Sequence, residues 1–303
     1  MKSHNVMITQ FLNHLAVERH VSVHTLDAYK RDLTALDSWS KTEAKTDCIA
    51  LVNVQLRQFL AVQRGKNVSI RTLQRRLSTL RGFYRWLEKH SYVQANPTTG
   101  LRSPRAARSL PNVLDVDEAV HLVSIATDCR LGVRDRALLE LLYSSGLRVG
   151  EICSLQWQAL DLEAGLVQVT GKGKRQRIAP VGSHAVTALR AWQQESVGSL
   201  GDGSLPIFPG RRGRAITPRA IQLRVKQLAQ RQQLVKHVHP HALRHSFASH
   251  ILQSSGDLRG VQELLGHADI STTQIYTHLD FQALSTVYDA AHPRARRQKA
   301  RKV

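Results

Sequence analysis

The stretch Lys236 to His250 is crowded with histidine, and inside it His241-Ala-Leu-Arg244-His245 has the spacing with most chemical content. In a helix, positions three apart share a face, so His241 and Arg244 point the same way from a helix that begins near Pro240. Helix-start amides and a guanidinium fork both suit an oxygen anion such as a phosphate. Metal binding is the competing chemistry, because His237, His239, His241, His245 and His250 lie so close together. Against it, no cysteine or clear carboxylate accompanies them, and Arg244 would put a cation inside the ligand sphere.

Downstream, LLGHADISTTQIYTH places Gly266 as a helix stop, His267 in the loop after it, and Ser271-x-x-Gln274 as a capping-box pattern. Tyr276 then falls early in a short helix. A tyrosine is ordinarily a core residue with its hydroxyl satisfied; its position just after a Gly-His turn makes it a candidate for chemistry. Upstream, TGKGKRQR (170–177) reads as a hairpin carrying Lys172 and Lys174 between the strand-like segments LVQVT and RIAPV. It lacks the GxxxxGK[ST] spacing of a nucleotide-hydrolysing loop. In SSGLRVGEICSL, Arg148 stands between Gly146 and Gly150, and Glu151 is placed to hold it.

These residues need elements to position them. From Ile8 to His90 apolar residues recur at helical spacing, as in Leu73, Leu77, Leu80, Tyr84 and Leu87, which predicts an all-helical N-terminal bundle over residues 1–95 with starts at Ser22 and Ser69 and a stop at Gly65. Residues 96–111 hold three prolines, a glycine and three arginines with no acid, and read as an extended basic linker. A second domain, 112–291, opens on the capping box Asp115-x-x-Glu118. It continues as helices around Arg134 to Ser144, Pro218 to Gln233, His241 to Gln253 and Leu258 to Leu265, with a small antiparallel sheet. Residues 292–303 read as a basic tail.

The 303 residues carry 43 Lys plus Arg against 23 Asp plus Glu, a formal charge of +20, which calls for a polyanionic partner. On a helical wheel Arg71, Arg75, Arg81, Arg85 and Lys89 fall within an arc of about 120° opposite the apolar face, a stripe suited to phosphates; Arg102 and Arg105 of the linker extend it. Three cysteines without a CxxC, Cys48, Cys129 and Cys153, point to a reducing compartment and away from disulfides or a thiolate zinc site. No secretory leader and no apolar run of about 18 to 20 residues is visible, so a cytoplasmic protein without membrane insertion is expected.

Read jointly, GLRVGE, GKGK, HALRH and LGHADISTTQIYTH resemble the tyrosine recombinase (phage integrase) family in order and spacing across the whole second domain. The two-domain length and the ending THLDFQALSTVYDAAHPRARR are most similar to its Xer branch. The resemblance implies a SAM-like helical DNA-binding domain and a mainly α, α+β catalytic domain. It implies a catalytic set of Arg148, Lys172, His241, Arg244, His267 and the nucleophile Tyr276, with Lys172 preferred over Lys174 as the acid on the family's pattern alone and Lys174 left to contact DNA. Tyr276 would attack a phosphodiester, leaving a 3′-phosphotyrosine and a free 5′-hydroxyl, with no ATP, metal or other cofactor. It further implies a clamp on double-stranded DNA at a dif-like site, a heterotetramer with a XerD-like recombinase, control by the DNA translocase FtsK, and docking of a C-terminal helix, 281–291, into a neighbour. A mobile-element integrase would share every one of these residues. A type IB topoisomerase would relax supercoils without yielding recombinants, a metal-dependent nuclease would be stopped by EDTA, and an architectural DNA-binding protein would not cleave.

Overall fold

Among the described residues, four helices build the first unit of the chain: α1 (His4–Val17), α2 (Val23–Thr42), α3 (Asn53–Gly65) and α4 (Ile70–Lys89). They belong to a computed structural model that describes residues 4–104, 113–171, 176–196, 204–265 and 291–293. The chain divides into two compact units between residues 109 and 110. Ser22 and Ser69 cap α2 and α4, their hydroxyls accepting from the amides of Thr25 and Thr72, both at 3.3 Å. Gly65 closes α3, yet the residue that turns the chain in the left-handed region is Asn67, at φ 56°. The side-chain amide of Asn makes that conformation tolerable. Along α4, Leu73, Leu77, Leu80, Phe83, Tyr84 and Leu87 are buried, most of them against Phe11, Leu33, Leu36, Leu56 and Phe59. Each such side chain contributes about 1.5 to 3 kcal/mol by leaving water.

The segment expected to be an extended basic linker is in its first part laid onto this bundle. Asn53 Nδ2 donates to the carbonyls of Pro97 and Thr99, both at 2.9 Å, Gln74 Nε2 donates to that of Pro104 at 2.7 Å, and Leu101 joins the core at 5% exposure. Apolar Leu101 and the backbone carbonyls around it found partners that composition alone could not reveal.

The second unit is mostly helical around a small sheet. It runs α5 (Val116–Val123), α6 (Arg130–Ser145), α7 (Val149–Cys153), β1 (Leu160–Asp161), β2 (Leu166–Thr170), β3 (Gln176–Pro180), α8 (Ser183–Ser196), α9 (Pro218–Arg231), α10 (Pro240–Ser255) and α11 (Leu258–Leu265). The capping box at α5 forms as expected: Asp115 Oδ1 accepts from the Glu118 amide at 2.8 Å, and Glu118 Oε2 from the Asp115 amide at 2.9 Å. Helix α6 is buried all round from Ala137 to Ser145, the mark of an interior helix on which others pack. Helix α8, with Ala185, Leu189 and Trp192 turned inward, is one of them; the sequence reading did not foresee it. The strands form an antiparallel sheet in the order β1-β2-β3, with Val167 opposite Ala179 and Val169 opposite Arg177. Val167, Val169 and Ala179 face the core.

The tail does not begin at His292. That side chain is 4% exposed, its ring 4.9 Å from Tyr143 and 5.4 Å from Phe247, and Ala291 beside it is buried too. Imidazole has enough apolar ring surface to fill a core site, so the basic composition after it misplaced the boundary. No helix among the described residues is long and apolar enough to cross a membrane. Cys48, Cys129 and Cys153 are free thiols.

Candidate active site

Helix α6 ends in a left-handed glycine, Gly146 at φ 57°, and this turn delivers Arg148 to the start of α7. Glycine is required there twice over: a Cβ would meet the backbone penalty and would overlap the ring of Phe247 on α10. The carbonyl of Gly146 accepts a hydrogen bond from Arg244 Nη1, and the carbonyl of Leu265, the last residue of α11, accepts one from Arg244 Nη2 at 2.7 Å. Arg244 is thus a buried guanidinium, 7% exposed, that pins the end of α6 and the end of α11 to α10.

Arg148 is held from the other side. Glu151 receives the Arg148 amide on Oε2 at 2.7 Å and Arg148 Nη1 on Oε1 at 3.0 Å, as the sequence suggested. A residue the sequence reading missed completes the arrangement: Arg177 of β3 grips both Glu151 oxygens, at 2.6 and 3.0 Å. The missed signal was its place in the strand. Arg177 pairs with buried Val169 and so lies on the inward face of the sheet, where a charge without a partner is rarely left. Burial pushes the Glu151 carboxyl upward, yet the Arg177 hydrogen bonds, the Arg148 amide and the two guanidinium charges outweigh it and hold the group below its ordinary value. A polar cleft of about 490 Å³ opens beside it, lined by Glu151, Gln156, Gln168, Thr170 and Gln176.

His241 stands exposed one turn before Arg244. Burial lowers its pKa, and the charges of His245, Arg244 and Arg148 lower it further, so the ring is predominantly neutral at physiological pH and can accept a proton. The same forces bring Arg244 down to about 10, burial first and the Arg148 charge next, which leaves it fully charged near neutrality. Arg148, with a side chain 40% exposed, is the reachable member of the pair. Arg148 and Arg177 share the one carboxylate of Glu151, and Arg244 and His241 feel the Arg148 charge beside them, an arrangement with surplus positive charge for an anion.

The metal reading finds other employment for its histidines. His239 caps α10, its Nδ1 accepting from the Ala242 amide at 3.0 Å, and His250 is buried between Tyr143 Oη at 2.9 Å and the Leu114 carbonyl at 3.0 Å. No group of His, Cys, Asp and Glu able to hold a metal ion occurs among the described residues.

These features sit inside a match to known proteins. The sequence profile of the phage integrase family covers residues 112–283, and that of the phage integrase N-terminal SAM-like domain covers residues 8–91. The chain belongs to the phage integrase family of tyrosine recombinases. It is 61% identical over 293 residues to tyrosine recombinase XerC of Xanthomonas campestris pv. campestris (strain B100), spanning 97% of this chain and 90% of the relative. It is 61% identical over 292 residues to tyrosine recombinase XerC of Xylella fastidiosa (strain M23), spanning 96% and 98%. In fold it matches the crystal structure of XerH site-specific recombinase bound to palindromic difH substrate, with a TM-score of 0.70, 24% identity, and coverage of 93% of this chain and 84% of that one. This tyrosine recombinase is accordingly a DNA-cleaving and rejoining enzyme, with a SAM-like helical domain followed by a catalytic domain.

Of the residues nominated from sequence, the structure brings Arg148, His241 and Arg244 together. Lys172, His267, Tyr276 and the DNA-contact candidates Lys174 and Arg105 lie outside the described residues, as does nearly all of the C-terminal helix expected over 281–291. On the basic stripe, Arg71, Arg85 and Lys89 are exposed, as is Arg102. Arg75 instead pairs with buried Asp32 and donates to the Ala28 carbonyl at 3.1 Å, and Arg81 donates to the Leu101 carbonyl. Those two guanidiniums hold the first unit together as well as charging its surface.

Proposed function

We propose that this tyrosine recombinase resolves chromosome dimers in the cytoplasm at a dif-like site, in a heterotetramer with a XerD-like partner and under the control of FtsK. The observation that carries the chemistry is the buried Arg244 set beside the reachable Arg148, with an exposed, neutral His241 close enough to feel both charges. In the proposed reaction Tyr276 Oη attacks the scissile phosphorus, the P–O5′ bond breaks, and a 3′-phosphotyrosine and a free 5′-hydroxyl result. Because the ester conserves the energy of the broken bond, a partner strand's 5′-hydroxyl can reverse the step without ATP. Charge that grows on the nonbridging oxygens is met by Arg148 and Arg244, fixed in advance by Glu151 and by two backbone carbonyls, so nothing has to reorganise as the charge develops. His241 accepts the tyrosine proton or donates to the phosphate, Lys172 protonates the leaving 5′-oxygen, and His267 hydrogen-bonds the phosphate. Arg71, Arg85, Lys89, Arg102, Arg105 and Lys174 contact the DNA backbone, joined by Arg75 and Arg81 through whatever donor capacity their internal bonds leave.

The high identity to XerC relatives favours the chromosomal role over a mobile-element integrase. A nicked suicide duplex carrying a dif-like site, incubated with the protein, a XerD-like partner and EDTA, tests the proposal. An SDS-resistant protein–DNA adduct with wild type and none with Tyr276→Phe is the expected result. Recombinants at an unrelated element's ends but never at a dif-like site would transfer the protein to the integrase role.

A further inference from the structure

Glu151 is shared in an uneven way. Arg177 takes both of its oxygens, Nη1 on Oε1 at 2.6 Å and Nη2 on Oε2 at 3.0 Å, while the Arg148 side chain makes a single bond to Oε1 at 3.0 Å. Arg177 is the more enclosed of the two, its side chain 12% exposed against 40% for Arg148, and Glu151 is 5% exposed. A carboxylate beside a lone arginine adopts the fork-to-fork, two-bond geometry that is strongest for that pair. Were Arg177 absent, the arginine available to Glu151 in this way would be Arg148, three residues before it on the same turn. The guanidinium edge that should face phosphate would then be committed to a buried carboxylate, and its charge cancelled.

We infer that Arg177 is a positioning residue for strand cleavage: by occupying both oxygens of Glu151 it keeps that carboxylate from capturing Arg148, and it fixes the direction in which Arg148 faces the scissile phosphate. The inference rests on the role proposed above for Arg148. It also explains why an arginine, and not a lysine, stands at this inward strand position, since only a planar fork can fill both oxygens at once. The tie joins β3, which follows residue 172 in the chain, to α7, whose first residue comes directly after Arg148, so these two parts of the catalytic domain keep a common register.

Single-turnover cleavage of the suicide duplex tests this with Arg177→Met, Arg177→Lys, Glu151→Gln and the double variants, with DNA affinity and thermal melting measured beside it. Arg177→Met is expected to cleave about tenfold to a hundredfold more slowly, the loss typical when a group that orients a ligand is removed, with DNA affinity unchanged. Arg177→Lys should recover part of the rate. The deciding result is suppression: Glu151→Gln combined with Arg177→Met should cleave faster than Arg177→Met alone, because no carboxylate remains to trap Arg148. If the double variant is no faster, or if Arg177→Met lies within about threefold of wild type, the inference is overturned. Should Arg177→Met lose its cooperative melting, the same comparison with Arg177→Lys decides. Absence of adduct from wild type as well would remove the recombinase mechanism itself, and the inference with it.

Discussion

Replacing Gly146 by alanine strikes the turn that delivers Arg148, and its cost can be worked from two features of the structure. The backbone sits at φ 57°, where a Cβ costs about 1 to 2 kcal/mol. The added methyl would also overlap the ring of Phe247, which is 0% exposed and has no solvent to retreat into. Overpacking of such a core typically costs about 1 to 3 kcal/mol. The sum is about 2 to 5 kcal/mol, a large share of the roughly 5 to 15 kcal/mol by which a domain is usually stable. Hydrogen exchange along α6 and α10 during urea titration isolates the second unit and reads this directly. Gly150→Ala is the control: a Cβ there meets nothing within 4 Å, and its φ is ordinary, so its effect should stay within about 0.5 kcal/mol. If Gly146→Ala matches that control, the reasoning about the turn is wrong. Surviving Gly146→Ala protein should also cleave slowly, because the carbonyl that receives Arg244 belongs to the displaced residue.

Other expectations follow from the same geometry. Asp32→Ala strips Arg75, Arg76 and Thr79 of a shared buried partner and should destabilise the first unit by about 3 to 5 kcal/mol in urea melts, whereas an effect below about 1 kcal/mol would show the network to be dispensable. Arg71→Ala and Arg85→Ala should each reduce the slope of log affinity against log salt by about 0.9, while Arg75→Ala should show itself mainly as lost stability; equal slopes for wild type and Arg71→Ala would remove that phosphate contact. Burial holds His239, His241 and His250 below the ordinary imidazole value, so below about pH 6.5 the unfolded chain binds protons that the folded second unit refuses. Its melting temperature should therefore fall between pH 7.5 and 5.5; a rise on acidification would contradict the assignment. Tyr143→Phe takes the donor from His250 Nδ1, since Nε2 must carry the proton it gives to the Leu114 carbonyl, and should cost about 1 to 3 kcal/mol by denaturant titration.

What could be read from sequence was what is encoded locally. Ser22, Ser69 and the pair Asp115 and Glu118 act within one turn of their own helices, and the spacing from Leu73 to Leu87 is a property of one helix. His241 and Arg244 were legible for the same reason. Glu151 with Arg177 was not, because the partners are separated by 26 residues and meet only when β3 folds against α7. Arg75 read as surface charge because nothing near it in sequence announces Asp32, and His292 read as tail because its basic neighbours outweighed its apolar ring. Helix α8 went unnoticed since its apolar positions, Ala185 and Ala188 among them, are too small to give strong periodicity.

Arg244 bonds to the Leu265 carbonyl, and Leu265 is the last described residue before the stretch that carries His267 and Tyr276. The side chain is a girder as well as a tool. Anyone who wants an inert stand-in, able to occupy its place in an assembly without cutting, should leave Arg244 alone, because removing that guanidinium would unfasten the ends of α6 and α11 from α10.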